Sequence, residues 1–175
     1  HMLRQGQERI KVIALVHDLL ESGGSSKSAI NLSTYLQMLR SSVLGAFSVA
    51  PDEITIRVEC PQAMIPSAKA LSLGLIASEF LTEILRNAVA HGRSGSISVR
   101  ATISESTIDF RIEDDGLGFP DNLSRLDGDD LSMEIIRTLA EQLDAEFSLV
   151  AGRRPTAALP VSYTHLRAHE TSAYR

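Results

Sequence analysis

Glu83, Asn87 and His91 stand at i, i+4 and i+8 in a stretch, residues 69–91, that is apolar on most sides. A helix there carries all three along one face. Polar groups on a mostly buried helix need partners, because an unpaired buried amide or carboxylate costs on the order of 1–3 kcal/mol. A ligand or a hydrated metal supplies such partners. The Asn87 amide oxygen is a hard donor suited to Mg2+, which prefers oxygen, keeps water and is shared with phosphates. Glu83, one turn away, is placed to orient a water or polarise an incoming group. The plainer alternative is a helix with one wet face.

A second cluster is Asp114-Asp115-Gly116-Leu117-Gly118. Counting in twos from Ile108 through Phe110 and Ile112 reaches Asp114, in phase with the buried face at a strand's end. A carboxylate there accepts a hydrogen bond from an amino group such as the exocyclic amine of adenine. Gly116 and Gly118 let the backbone turn sharply and approach a ligand closely. Turns are rich in Asp and Gly, so this cluster carries weight only together with the first.

The elements that must hold these residues follow from periodicity. Residues 7–21 form a helix whose Ile10, Ile13, His17 and Leu20 make a 3,4,3 seam suited to a helix pair. Gly23 and Gly24 stop it. Residues 32–47 form a second helix, N-capped by Asn31, with Leu32, Tyr35, Leu36, Leu39, Val43 and Phe47 as its stripe. Residues 53–59 alternate as a strand, and 60–67 are a loop holding Cys60. After the long helix, 95–103 and 107–113 read as a hairpin. Residues 131–143 are helical, and 146–150 with 156–160 close as two short strands around Arg153 and Arg154. This predicts an α+β fold, a two-layer sandwich with helices on one face of a mixed sheet, preceded by a helical hairpin. The expected division is 1–50 for the hairpin, 51–160 for the sandwich and 161–175 for a tail.

Composition narrows the class. The 175 residues carry 17 basic and 22 acidic side chains for a net charge of −5, with aromatics at 5% and no Trp. A basic nucleic-acid surface and a polybasic membrane footprint are excluded. One cysteine permits no internal disulfide. With no apolar run long enough to span a bilayer and no signal peptide, the expectation is a cytoplasmic protein without membrane contact. His1-Met2 reads as a tag remnant. The tail from about Val161 breaks the preceding pattern and resembles translated vector or adaptor sequence.

Together the two clusters are far more specific than either alone. Glu83-Ile84-Leu85-Arg86-Asn87-Ala88-Val89-Ala90-His91-Gly92 resembles the N box of the GHKL nucleotide-binding fold, Asp114-Asp115-Gly116-Leu117-Gly118 its first glycine box, and residues 131–143 its second. Within that fold the chain is similar to the histidine-kinase catalytic domain. Arg9, Ile10, Ile13, Ala14, Leu15, His17 and Asp18, then Tyr35-Leu36 and Leu39, then Leu73-Gly74-Leu75-Ile76, are similar to sensor kinases of the HWE-related type, in which the first of these stretches is the second dimerisation helix.

The resemblance covers about residues 7–160. It implies a kinase core that binds ATP with Mg2+ held through Asn87, Glu83 as the catalytic group, and Asn87, His91, Asp114, Gly116, Gly118 and Ser132 around the nucleotide. It implies a homodimer through the N-terminal helices, a response regulator as partner, and a phosphoacceptor His on a helix absent from this sequence. His17, beside Asp18, is the alternative acceptor; its plainer reading is a packing residue. The sequence departs from the pattern in five places. Ser132 replaces a glycine, Gln142-Leu143-Asp144-Ala145 stands where a Gln-Leu-Gly-Gly type of ending is expected, Pro155-Thr156 matches the late Gly-Thr motif only loosely, residues 121–130 carry four Asp against one Arg, and Glu79 offers a second register in which Glu83 takes the place of Asn. These departures leave an alternative, a degenerate GHKL scaffold serving histidine phosphotransfer or response-regulator docking with weak or no ATP binding.

Overall fold

A computed structural model describes residues 2–22, 28–47, 53–104, 107–115, 117, 131–150 and 156–162. Strict alternation makes β2 (Ile54–Glu59), β4 (Gly95–Ile103) and β5 (Thr107–Asp115). With β6 (Ser148–Val150) and β7 (Thr156–Ser162) they form a five-stranded sheet in the order β2-β4-β5-β7-β6. β2 runs parallel to β4 and the other neighbours are antiparallel, so the sheet is mixed. One face is apolar throughout: Ile54, Ile56, Ile97, Val99, Ala101, Ile108, Phe110, Ile112, Ala157 and Leu159 are buried. Helix α3 (Ser67–Ala90) is buried on most sides between that face and helices α1 (Met2–Ser22) and α2 (Leu32–Phe47). Helix α4 (Leu131–Gln142) packs beside α3 through the cluster that holds Met133, Ile136 and Ala140. The expected α+β sandwich, with helices on one face of a mixed sheet, is the observed fold.

The second helix starts as its sequence dictates. Asn31 Oδ1 accepts from the Thr34 amide at 3.0 Å, the expected N-cap. Two three-residue strands escaped the periodic reading. β1 (Ala29–Asn31) pairs antiparallel with β3 (Met64–Pro66) in what was expected to be loop. This clasp ties the α1–α2 connection to the start of α3, and backbone bonds Leu32 N to Ala63 O (2.9 Å) and Ser67 N to Ser28 O (2.8 Å) extend it. Cys60 lies in the loop before β3; burial pushes its thiol up to about 11, so it stays protonated and unreactive near neutrality.

Two expectations need correction. The Ile10–Ile13–His17 seam is not the face of α1 that packs within the chain. Val12 and Val16 turn inward, while Ile10 and Ile13 are 67% and 51% exposed and His17 lies near Glu21 at 3.7 Å on the surface. The reason is α3, a broad apolar cylinder that is met better by two β-branched side chains one turn apart. Nor does the ordered chain break at Val161: its side chain is buried and its backbone pairs with Ile108, so β7 runs on to Ser162. Residues 163–175 lie outside the described residues. The break expected near residue 50 is not visible as a gap in the core, since Val12, Leu36 and Val43 join Ile54, Ile76 and Phe110 in one apolar cluster.

An ion pair fixes α1 to α3. Arg9 Nε donates to Glu79 Oε1 at 2.6 Å, and the Glu79 side chain is only 6% exposed. Removing one partner of such a pair leaves a buried charge unmatched, whereas replacing both with apolar groups is often neutral. Arg9→Ala is expected to lower urea stability by about 2 kcal/mol, reduced from the fully buried case by the partial exposure of Arg9. Arg9→Met with Glu79→Leu is expected to restore it. Equal losses in the single and double variants would show that the pair is not what holds the helices.

Candidate nucleotide site

The polar stripe on α3 has the spacing expected of it. Glu79, Glu83 and Asn87 follow one another at successive turns. Glu79 and Glu83 are 5% and 7% exposed, and Asn87 is half-buried near the helix end. Glu79 is engaged by Arg9, and Glu83 is the carboxylate one turn before Asn87. Arg86 Nη1 donates to Glu83 Oε1 at 2.5 Å, so the carboxylate sits beside a matching charge instead of alone in the core. His91 caps the helix C-terminus; its ring is exposed and its Nδ1 lies 2.8 Å from the Asn87 carbonyl oxygen.

At Gly92, φ reaches +59°, the left-handed turn that ends α3. The chain then enters β4 at Gly95, whose amide donates to Glu53 O at 3.0 Å. Here the backbones come close: a Cβ on Gly95 would stand 2.6 Å from the Asp115 carbonyl oxygen. Register does the rest, because Ser96 pairs with Asp115 and Ile97 with Asp114. The start of β4, four residues past the α3 terminus, therefore lies against the end of β5. Asn87 and Asp114 belong to the same end of the sandwich.

Asp114 is 1% exposed and in phase with Ile112 and Phe110, as the count in twos requires. Its Oδ1 accepts from the Leu117 amide at 2.9 Å, which curls the chain directly after the strand. From the other side, Arg93 Nη1 donates to the Leu117 carbonyl at 3.0 Å. Ser132, at the start of α4, is 1% exposed. Gly116, Gly118 and residues 121–130 lie outside the described residues. Sequence reading named Arg9 and Arg86 only as members of motifs, gave neither a partner, and missed Arg93, whose partner Leu117 is 24 residues away.

The donor set suits a nucleotide with a magnesium ion. Asp114 is a charged acceptor at a buried strand end, a match for an exocyclic amine. Asn87 brings a neutral oxygen. Among the described residues no three or more His, Cys, Asp or Glu side chains gather as a metal cage. A cation here would be one that takes most of its ligands from phosphate and water, which is the habit of Mg2+. The outer face of the sheet is of another kind. Its recess is lined by Arg57, Ser98, Arg100 and Glu113 and reaches Asp114 and Asp115 at the end of β5, with Arg100 bonded to Glu59 at 2.8 Å and near Glu113 at 3.5 Å.

Comparison with known proteins bears on the fold. No family model matches the chain. It is 26% identical over 148 residues to blue-light-activated histidine kinase 2 of Erythrobacter litoralis, covering 82% of this chain and 42% of that protein. It is 29% identical over 153 residues to the sensor histidine kinase PdtaS of Mycobacterium tuberculosis, covering 84% of this chain and 29% of that protein. The chain thus spans well under half the length of these relatives. Among solved structures, the histidine kinase domain of the Erythrobacter litoralis blue-light-activated kinase EL346 superposes with a TM-score of 0.79 at 24% identity, over 91% of this chain and 75% of that one. The Acinetobacter baumannii histidine kinase AdeS superposes at 0.58 and 10% identity, over 89% and 77%. Among the described residues no helix is long and apolar enough to cross a membrane. The chain is a homologue of sensor histidine kinases and carries the fold of their catalytic domains.

Proposed function

We propose that this chain is the nucleotide-binding catalytic unit of a sensor histidine kinase. One observation carries the reading: a buried carboxylate, Asp114, sits at the same end of the sandwich as the Glu83–Asn87 stripe, joined to it by β4 register and by Arg93. Mg·ATP, when bound, supplies the phosphoryl group that is transferred. Asp114 accepts from the adenine amine, and Gly116 and Gly118 let the chain pass close to the base. Asn87 offers its amide oxygen to the metal, with His91 and Ser132 near the phosphates. Glu83, paired with Arg86, orients the reacting end. Such catalysis depends on positioning and charge compensation, with little covalent work for the protein. The acceptor is a His on a helix outside this sequence. A response regulator would receive the phosphoryl group, in the cytoplasm, and the exposed Ile10–Ile13 seam of α1 would pair two copies.

Calorimetric titration tests this. Wild type is expected to bind Mg·ADP saturably, and Asn87→Ala to bind it about tenfold more weakly, the worth of one ligand bond of 1–2 kcal/mol. Chelation by EDTA is expected to weaken wild type and to leave Asn87→Ala nearly unchanged, because the variant has already lost the metal's protein ligand. Absence of binding by wild type would overturn the reading and leave a scaffold without nucleotide.

A further inference from the structure

We infer that Arg93 is a positioning residue for purine recognition, holding the Asp114 turn against the end of α3. The inference rests on the nucleotide reading above and adds a residue to it. Leu117 is the pivot. Its amide is taken by Asp114 Oδ1 at 2.9 Å, its carbonyl by Arg93 Nη1 at 3.0 Å, and its side chain is fully buried. Both polar groups of one peptide segment are thus fixed by side chains from two different elements.

Arg93 is itself held at its backbone. Its amide donates to Ala88 O at 2.9 Å across the turn that closes α3. The guanidinium therefore reaches Leu117 from a fixed base one residue past Gly92. On the far side, Gly95 packs so closely that a Cβ there would stand 3.2 Å from Leu117 Cγ. The turn has one orientation available while Arg93 holds it. Without the guanidinium, the Leu117 carbonyl loses a charged donor, the Leu117 backbone gains freedom to rotate, and the Asp114 carboxylate bonded to its amide rotates with it. A carboxylate that must meet a single amine is sensitive to such rotation, whereas the phosphate end, near Asn87, is not. A charged residue at this position reads from sequence as a solvated turn residue; only its bond to Leu117 gives it another role.

The test compares ADP with inosine diphosphate, which presents a carbonyl where adenine has its amine. Titrations use wild type, Arg93→Met and Arg93→Lys, with thermal melts for each. Wild type is expected to prefer ADP. Arg93→Met is expected to weaken ADP about tenfold, the worth of one charge-assisted bond, and inosine diphosphate little, so the preference shrinks. Arg93→Lys, which keeps one donor, is expected to recover part of it. A wild type that binds neither nucleotide sinks the nucleotide reading itself. A wild type that binds ADP without preferring it, an Arg93→Met that weakens both equally or neither, or one that loses its folded baseline, overturns the role of Arg93 alone.

Discussion

Gly74→Ala is expected to lower the melting temperature by roughly 5–10 °C, from an overpacking cost of about 2–3 kcal/mol and about 2–4 °C per kcal/mol for a chain of this size. A Cβ at Gly74 would stand 1.8 Å from Tyr35 Oη and 2.5 Å from Tyr35 Cζ. The ring cannot step aside, because Tyr35 is fully buried between α2 and α3. Its hydroxyl finds no hydrogen-bond partner among the described residues, and burial pushes the phenol well above its ordinary range. That hydroxyl adds a desolvation cost without a compensating bond, so Tyr35→Phe alone is expected to be neutral or slightly stabilising. Tyr35→Phe would not rescue Gly74→Ala, since the ring carbons still clash. Tyr35→Leu, which removes the ring edge, is expected to recover most of the loss. Circular dichroism melts of wild type and the four variants decide it. A Gly74→Ala protein melting with wild type would mean that α2 does not lie where the structure has it.

Tyr35 and Gly74 show what the sequence could and could not reveal. Both were visible as parts of apolar helices, because periodicity reports which face of a helix is buried. It does not report what that face meets. The same limit explains α1, where the 3,4,3 seam of Ile10 and Ile13 was legible but Val12 and Val16 took the inward face. On a helix with apolar residues on two sides, the partner's shape chooses between them. The hairpin of β4 and β5 was legible to within two residues because each strand alternates cleanly and only one face is buried. β1 and β3 were not, because three residues hold too few alternations to stand out.

The site divides in the same way. Asp114 was placed by counting in twos, and the Glu83–Asn87 stripe by the helical repeat, since both are local consequences of backbone geometry. The choice between Glu79 and Glu83 is not local, and both carboxylates carry an arginine partner, Arg9 for Glu79 and Arg86 for Glu83. Arg86 stands at i+3 from Glu83, a spacing that helical geometry marks, whereas Arg93 carries no such signal, because its partner Leu117 lies 24 residues away.

Asp114→Ala is expected to lower the affinity for Mg·ADP about a hundredfold, from the loss of one charged acceptor worth about 1.5–3 kcal/mol at a buried position. The variant also strips the acceptor from the Leu117 amide, so its melting temperature should fall. Asp114→Asn separates these effects. Its amide oxygen still accepts from Leu117, which keeps the turn and the melting temperature, while the negative charge facing the adenine amine is gone. An affinity loss of about tenfold is expected, one charge-assisted bond reduced to a neutral one. Chelation then distinguishes the two ends of the site. Asp114→Asn keeps the metal's protein ligand, so EDTA should weaken it by the same factor as wild type, in contrast to Asn87→Ala. On the proposed reading the two side chains serve opposite ends of one ligand, so the losses in Asp114→Asn and Asn87→Ala should add in the double variant. Wild-type affinity in Asp114→Ala would remove the carboxylate from the site. A double variant no weaker than the worse single variant would mean that the two residues act on one end of the ligand, and that the stripe on α3 and the strand tip do not frame a single nucleotide between them.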